Sequence, residues 1–134
     1  MQKFVAAGIV LLANHVAFAA GLGGDVPIPN PPAVQTKMEL GALNKPGLFI
    51  MRAHLPEGGL FPPHHHPEAR HVTVLSGVLY VCSSNTVSAA TAVAHKAGAF
   101  FTIPPNTVHC SWGRDGEVEY MEVGIGPGTT TFVK

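Results

Sequence analysis

The sequence predicts a single all-β domain. Between residues 37 and 133 it consists of short apolar runs, each separated from the next by glycine, proline or asparagine. The 15 glycines and 12 prolines supply the turns that many short strands need. After residue 30 no stretch keeps the 3.6-residue period of a helix. Because the chain has 134 residues, of which 46% are hydrophobic, we expect one core enclosed by two packed sheets or a closed barrel.

Nine strands are predicted from the apolar runs. They cover residues 37–40, 48–55, 71–75, 78–82, 92–95, 100–103, 108–112, 117–123 and 130–133. Their short length and even spacing are typical of a small sandwich or barrel.

The first residues are predicted to lie outside the domain. Lys3 precedes an apolar run over residues 4–13, and Ala17-Phe18-Ala19 matches an A-x-A cleavage site. We expect residues 1–19 to be a signal peptide, cleaved after Ala19, which places the protein in the periplasm or outside the cell. A membrane anchor is the alternative, but polar residues interrupt the run well before the roughly 20 apolar residues of a spanning helix.

A Gly- and Pro-rich arm is expected over residues 20–36, followed by the β domain over residues 37–134. The formal net charge is zero, with eight basic and eight acidic residues. We therefore expect neither a nucleic acid nor a membrane surface as a partner. A small-molecule substrate or ligand is the expected partner.

Two histidines at alternate positions indicate a metal site. Side chains at i and i+2 of an extended strand leave the same face, so His64 and His66 can enter one cavity while His65 points away. Imidazole binds iron, zinc, nickel, copper and, with oxygen ligands, manganese. The cofactor expected is one of these divalent transition metals. A histidine tract in a Pro-flanked loop can also be plain surface, so the metal interpretation needs a second element.

A second segment, from Gly98 to Cys110, supplies that element. Gly98 opens an apolar strand, and Pro104-Pro105-Asn106 reverses it, because proline presets φ and asparagine tolerates left-handed backbone. The chain then presents His109 early in the next strand, where we expect it to be the third ligand.

Together the two segments resemble the paired motifs of the cupin superfamily. The first motif is matched by Gly58, His64, His66 and Gly77. The second is matched by Gly98, Pro104 and His109, with Asn106 in the place of the turn glycine. The resemblance covers residues 40–134 and extends to the small single-domain cupins that carry HxHPxxR and VTVLSG. It implies a double-stranded β-helix, the jelly-roll cupin barrel, and it implies a homodimer.

Arg70 stands where cupins usually place a glutamate ligand, four residues after His66. A guanidinium cannot coordinate a metal, and about 5 Å from a divalent ion the repulsion would be roughly 6 to 7 kcal/mol. We therefore expect Arg70 to turn away or to hold an anion, acting as a clamp for a substrate carboxylate. Glu68 could swing in as an oxygen ligand, although an exposed loop carboxylate is the simpler interpretation.

His71 is the alternative fourth ligand. A shift of one residue in strand register would turn His71 inward and Arg70 outward. The register with Arg70 inward also buries Val72 and Val74, two β-branched apolar side chains, and is favoured for that reason.

Two cysteines and one further strand complete the candidates. Cys110 points away from His109 by alternation, so a thiolate ligand is not expected. An exported chain can keep a disulfide to Cys82, but two buried thiols are the preferred interpretation. On the strand over residues 117–123, Met121 would face the cavity if its side of the strand is inward.

Three functions are compatible with these features. The first is a metal-dependent enzyme acting on a small oxygenated or carboxylate-bearing molecule, for which the resemblance implies dioxygenase, decarboxylase, isomerase or lyase chemistry, with dioxygenase-type oxidoreductase chemistry preferred. The second is a non-catalytic periplasmic cupin that binds a metal or a small ligand. The third is a structural cupin with a degenerate site.

Overall fold

The computed structural model describes residues 33–134, which form an all-β structure as predicted. Within these residues there are ten strands and no helix, so none is present that could cross a membrane. The predicted signal peptide, residues 1–19, and most of the predicted arm lie outside the described residues.

The strands are β1 (Gln35–Leu40), β2 (Gly47–Leu55), β3 (Leu60–His65), β4 (Arg70–Ser76), β5 (Val78–Cys82), β6 (Val93–Lys96), β7 (Phe100–Ile103), β8 (His109–Trp112), β9 (Val118–Gly126) and β10 (Thr131–Phe132). All but β3 correspond to predicted strands. The arm was expected to reach residue 36, but β1 begins at Gln35, which pairs with His54 of β2.

The strands form two five-stranded antiparallel sheets. One sheet has the order β1-β2-β9-β4-β7, and the other has the order β10-β3-β8-β5-β6. Strands distant in sequence are neighbours in both sheets, as β2 and β9 are along their full length. The inner faces of the two sheets share one core. This arrangement is a jelly roll, and the predicted fold class is confirmed.

Alternation along the strands separates the core from the surface. In β2 the side chains of Phe49, Met51, Ala53 and Leu55 are buried, and those between them are not. The inner faces of both sheets build one apolar cluster, whose buried members include Leu55, Val74, Val81 and Val118. The buried polar side chains, among them His64, His109, Arg70 and Glu122, are not members of this cluster.

The list of predicted strands omits β3, although the alternation of His64 and His66 assumes an extended chain there. Pro62 and Pro63 interrupt this strand. Proline has no N–H to give to a sheet and is normally placed at edges or irregularities. In the structure β3 lies inside its sheet, between β10 and β8. Its pairing with β8 is regular up to Phe61, shifts across the two prolines, and resumes where His64 lies opposite His109. The prolines therefore occupy the one irregular stretch of that pairing.

The predicted Pro-Pro-Asn turn is present before β8. Asn106 has φ 56°, the left-handed conformation expected of it. Its backbone N–H donates a hydrogen bond of 2.7 Å to the carbonyl oxygen of His66. The turn that precedes His109 is thus tied to the segment that carries the other two histidines.

Cys82 and Cys110 form a disulfide, so the preferred interpretation of two buried thiols is wrong. The two residues lie directly opposite each other on β5 and β8, with their Cα atoms 4.9 Å apart. Both are fully buried beside Leu60, Val87 and Trp112, on the outer side of the sheet. The disulfide therefore joins β5 to the strand that carries His109.

We predict that Gly77→Ala destabilises the fold more than Gly58→Ala. Both glycines have left-handed backbone, with φ 75° and 72°, which costs a residue with a side chain about 1–2 kcal/mol. A Cβ at Gly77 would also overlap the backbone carbonyl oxygen of Glu117, whereas a Cβ at Gly58 meets nothing within 4 Å. Urea unfolding of the two variants measures the difference, and equal losses would contradict this account of the turn.

Candidate metal centre

The pairing of β3 with β8 brings three histidines together. His64 and His109 are opposite each other in that pairing, and His66 follows directly after β3 on the same side as His64. The ring centroid of His64 lies 4.2 Å from that of His109 and 4.8 Å from that of His66. All three side chains are buried, so the cluster lies inside the sandwich.

One nitrogen of each imidazole is bound to the protein backbone. The Nδ1 atoms of His64, His66 and His109 lie 2.6, 2.8 and 2.9 Å from the carbonyl oxygens of Pro62, Thr129 and Thr107, respectively. A carbonyl oxygen only accepts, so each Nδ1 carries the hydrogen and donates it. In the neutral ring the other nitrogen, Nε2, then carries a lone pair.

The three Nε2 atoms converge without a partner. Within the described residues each is buried and has no hydrogen-bond partner. One ligand atom from each histidine can be chosen such that all three lie within 4.8 Å of one another. Buried polar atoms are nearly always satisfied, so three adjacent orphans call for a common partner. These residues could hold one metal ion, and a set of three imidazoles suits a transition metal.

Burial lowers the pKa of all three imidazoles. The pKa of His64 falls to about 2 and that of His66 to about 4, and burial is the largest cause of each shift. The pKa of His109 is lowered for the same reason. The Arg70 guanidinium is the second cause at His66. The rings therefore stay neutral at physiological pH, which is the form that binds metals.

Arg70 points inward, in the favoured register. Burial alternates along β4, with Arg70, Val72 and Val74 buried and His71 exposed. The Arg70 guanidinium lies over the ring of Phe49, with its central carbon 4.8 Å from the ring centroid. One Nη of Arg70 lies 3.3 Å from Nδ1 of His66. The cation is thus beside the histidine cluster and entirely shielded from water.

Two carboxylates already hold Arg70. Its Nε donates to Glu68 at 2.7 Å, and its Nη1 donates to Glu122 at 2.7 Å. Both carboxylate side chains are at least nine-tenths buried. The expected role of Arg70 as a clamp for a substrate carboxylate is therefore not supported, because the anions it needs come from the protein itself. Glu68 is correspondingly not the exposed loop carboxylate that was expected.

His71 is not a fourth ligand in this structure. Its side chain is on the outer face of the sheet, where Nδ1 lies 2.9 Å from the hydroxyl oxygen of Thr102. A register shift of one residue would be needed to turn it inward, and that shift would place Arg70 in water. The alternative with four imidazoles is therefore wrong.

Glu122 is the site residue that sequence reasoning missed. Met121 was expected to face the cavity if its side of β9 is inward, but the buried residues of β9 are Val118, Tyr120, Glu122 and Gly124. Burial raises the pKa of Glu122, and the Arg70 cation offsets part of that rise. The alternation was visible in the sequence, but a charged residue on the inner side is not recognisable without its buried partner.

A small pocket opens beside the histidine cluster. Its volume is about 280 Å³. Five apolar residues line it, among them Met51, Phe61 and Phe132, together with Thr36, Thr130 and His66. The pocket therefore borders the candidate metal centre at His66.

Sequence comparison relates the chain to plant proteins. A sequence profile of the cupin family matches residues 33–129. Germin-like protein subfamily T member 2 of Arabidopsis thaliana is 30% identical over 100 residues, which cover 71% of this chain and 46% of that relative. Germin-like protein 5-1 of Oryza sativa subsp. japonica is 33% identical over 75 residues, covering 54% of this chain and 33% of that relative. The chain thus spans less than half the length of these relatives.

Solved structures share the architecture. A cupin-2 domain from Rhodospirillum rubrum superposes with a TM-score of 0.65 at 14% identity, covering 84% of this chain and 74% of that chain. The DMSP lyase DddQ from Ruegeria pomeroyi superposes with a TM-score of 0.63, also at 14% identity, covering 75% of this chain and 52% of that chain. At this level of identity the likeness shows the fold alone.

We predict that His64→Ala and His109→Ala each abolish metal binding, because each removes one of three converging nitrogens. His71→Ala is the matched control, since its ring lies outside the cluster, and it should keep the ion. Metal content per chain, measured by atomic emission on protein purified without a histidine tag, tests this. Loss of the ion in the His71 variant would contradict the ligand assignment.

We predict that the metal-free protein loses stability as the pH falls from about 6.5 towards 4. In that range the unfolded chain protonates these histidines, whereas the folded chain, whose histidine pKa values are lower, does not. Each such histidine costs up to about 1.4 kcal/mol per pH unit. Urea unfolding across this range measures the loss, and His66→Gln should reduce it. An unchanged free energy of unfolding would contradict the burial of neutral rings.

We predict that Arg70→Leu destabilises the protein by about 3–5 kcal/mol, because two buried carboxylates lose their cation. The double variant Arg70→Leu/Glu122→Leu should recover part of that loss, since it removes one of the stranded charges. Urea unfolding of both variants provides the comparison. A double variant less stable than the single one would show that the charges are not coupled as described.

Proposed function

Because this chain belongs to the cupin family, we propose that it is a metal-dependent enzyme acting on a small oxygenated molecule, with oxidoreductase chemistry of the dioxygenase type. The observation that carries the proposal is the convergence of three buried, unpartnered Nε2 atoms. When bound there, a divalent transition metal would supply a Lewis acid with open positions for oxygen ligands.

The protein's own residues prepare the site for that role. Backbone carbonyls hold each ring through Nδ1, which fixes the tautomer and aims the lone pair of Nε2. The lowered pKa values keep the three nitrogens unprotonated, so no proton has to leave before an ion binds. Within the described part of the chain the ligand group contains no carboxylate, so the protein adds no negative charge to the ion directly.

A second candidate is a binding protein without turnover. The hydrogen bonds of Glu68 and Glu122, the carboxylates beside the site, favour this alternative. One oxygen of each carboxylate is hydrogen-bonded to Arg70, so that oxygen is already occupied and is not free to take a proton from a substrate. Under this alternative the same histidines would sequester a metal or present it to a small ligand.

Export and self-association belong to the same proposal. The disulfide between Cys82 and Cys110 supports a periplasmic or secreted location, because disulfides persist in oxidising compartments. The exposed pair of Leu48 and Ile125, opposite each other on β2 and β9, supports a homodimer, because apolar patches on a sheet face favour association.

We predict that the metal-loaded protein consumes dioxygen with one of a panel of small alcohols, phenols and sulfonio compounds. An oxygen electrode and product analysis measure turnover, and His109→Ala serves as the inactive control. Metal binding without turnover on any member would favour the binding protein over the enzyme. A content well below one ion per chain would remove both.

A further inference from the structure

The pocket beside His66 is lined by aromatic residues that metal binding does not require. The ring of Phe61 lies 3.9 Å from that of His64 and 5.7 Å from that of Phe132, centroid to centroid. The rings of His64 and Phe132 are 6.0 Å apart. Phe61 and Phe132, which line the pocket, thus form one aromatic cluster with the imidazole of His64, a candidate metal ligand.

No cation is available to a molecule in this pocket. Among the described residues that line it there is no lysine or arginine. Arg70 is the nearest buried cation, but its side chain is fully buried and engaged by two carboxylates. Moving a charged group from water into such a place is unfavourable unless an opposite charge meets it. The ion itself can satisfy one head group, but nothing satisfies a second charge.

We infer that the pocket binds a small molecule that has one oxygen donor and an uncharged, apolar body. The donor faces the metal centre, and the body lies against Met51, Phe61 and Phe132. This inference rests on the proposed metal-binding function and narrows its substrate to an alcohol or phenol with a hydrocarbon body. Small dicarboxylates are disfavoured, because the residues that line the pocket offer their second carboxylate no cation.

A matched pair of probes tests the class of ligand. Both 4-methylphenol and 4-hydroxybenzenesulfonate carry the same phenolic donor, but only the second has a negative charge at the far end, on a sulfonate that is a much weaker zinc ligand than a carboxylate. Calorimetric titration of the zinc-loaded protein should show 4-methylphenol binding at least about tenfold more tightly. Equal affinities, or tighter binding of 4-hydroxybenzenesulfonate, would overturn the inference.

Two variants test the location. Phe132 lines the pocket and is about half exposed, so Phe132→Ala should leave the fold and the metal content intact. This variant should weaken the binding of 4-methylphenol at least about fivefold, because it removes an aromatic side chain that lines the pocket. Phe100→Ala is the control, since Phe100 is also exposed but lies on β7 of the other sheet. Equal effects of the two variants would place the probe elsewhere and overturn the inference.

A gain of function gives an independent readout. Thr36 is exposed and lines the pocket, so Thr36→Arg adds a cation at the rim without altering the core. This variant should strengthen the binding of 4-hydroxybenzenesulfonate at least about fivefold and leave the affinity for 4-methylphenol nearly unchanged. Thr102→Arg, on the exposed face of β7, is the control. If Thr36→Arg does not strengthen the binding of the anionic probe, the probe does not bind in this pocket and the inference is overturned.

The outcomes separate this inference from the proposal beneath it. Metal content is measured on the same samples before each titration. A full complement of zinc with no preference between the probes overturns the inference and leaves the metal centre standing. Absence of zinc from the wild-type protein overturns both.

Discussion

The site depends on three hydrogen bonds from histidine to backbone. Each Nδ1–H is given to a carbonyl oxygen of a nearby turn or strand, so the three rings are held with their second nitrogens facing one another. Two of these carbonyls lie only two residues before their histidine, and the third comes from the segment before β10. Two local hydrogen bonds and one long-range hydrogen bond therefore orient the three histidine side chains.

The positive charge of Arg70 beside the histidine cluster is balanced by ion pairs within the protein. A cation placed among neutral imidazoles would repel a metal ion, and burial of Arg70 alone would be unfavourable. Glu68 and Glu122 surround it and reverse the local charge, while Phe49 covers its face. The arginine that stands in place of a glutamate ligand is thus paired within the protein and is not an isolated positive charge beside the histidines.

Much of the architecture was predictable because strand alternation is a local property. The inward register of β4 followed from Val72 and Val74, and the left-handed turn followed from Asn106. The strand β3 escaped prediction because its prolines argue against a sheet interior, and only the neighbours β8 and β10 hold it there. The disulfide escaped for a similar reason, since nothing local says that Cys82 and Cys110 are cross-strand partners.

The sequence by itself determined the fold class and the three histidines, because spacing along a strand decides which side chains share a face. Only the tertiary structure decided the partners of Arg70, the inward side of β9 and the outward place of His71. Glu122 is 52 residues from Arg70, and their hydrogen bond exists because β4 and β9 are neighbours in one sheet. Interactions between strands so distant in sequence depend on how the sheet is assembled, and no local pattern encodes that.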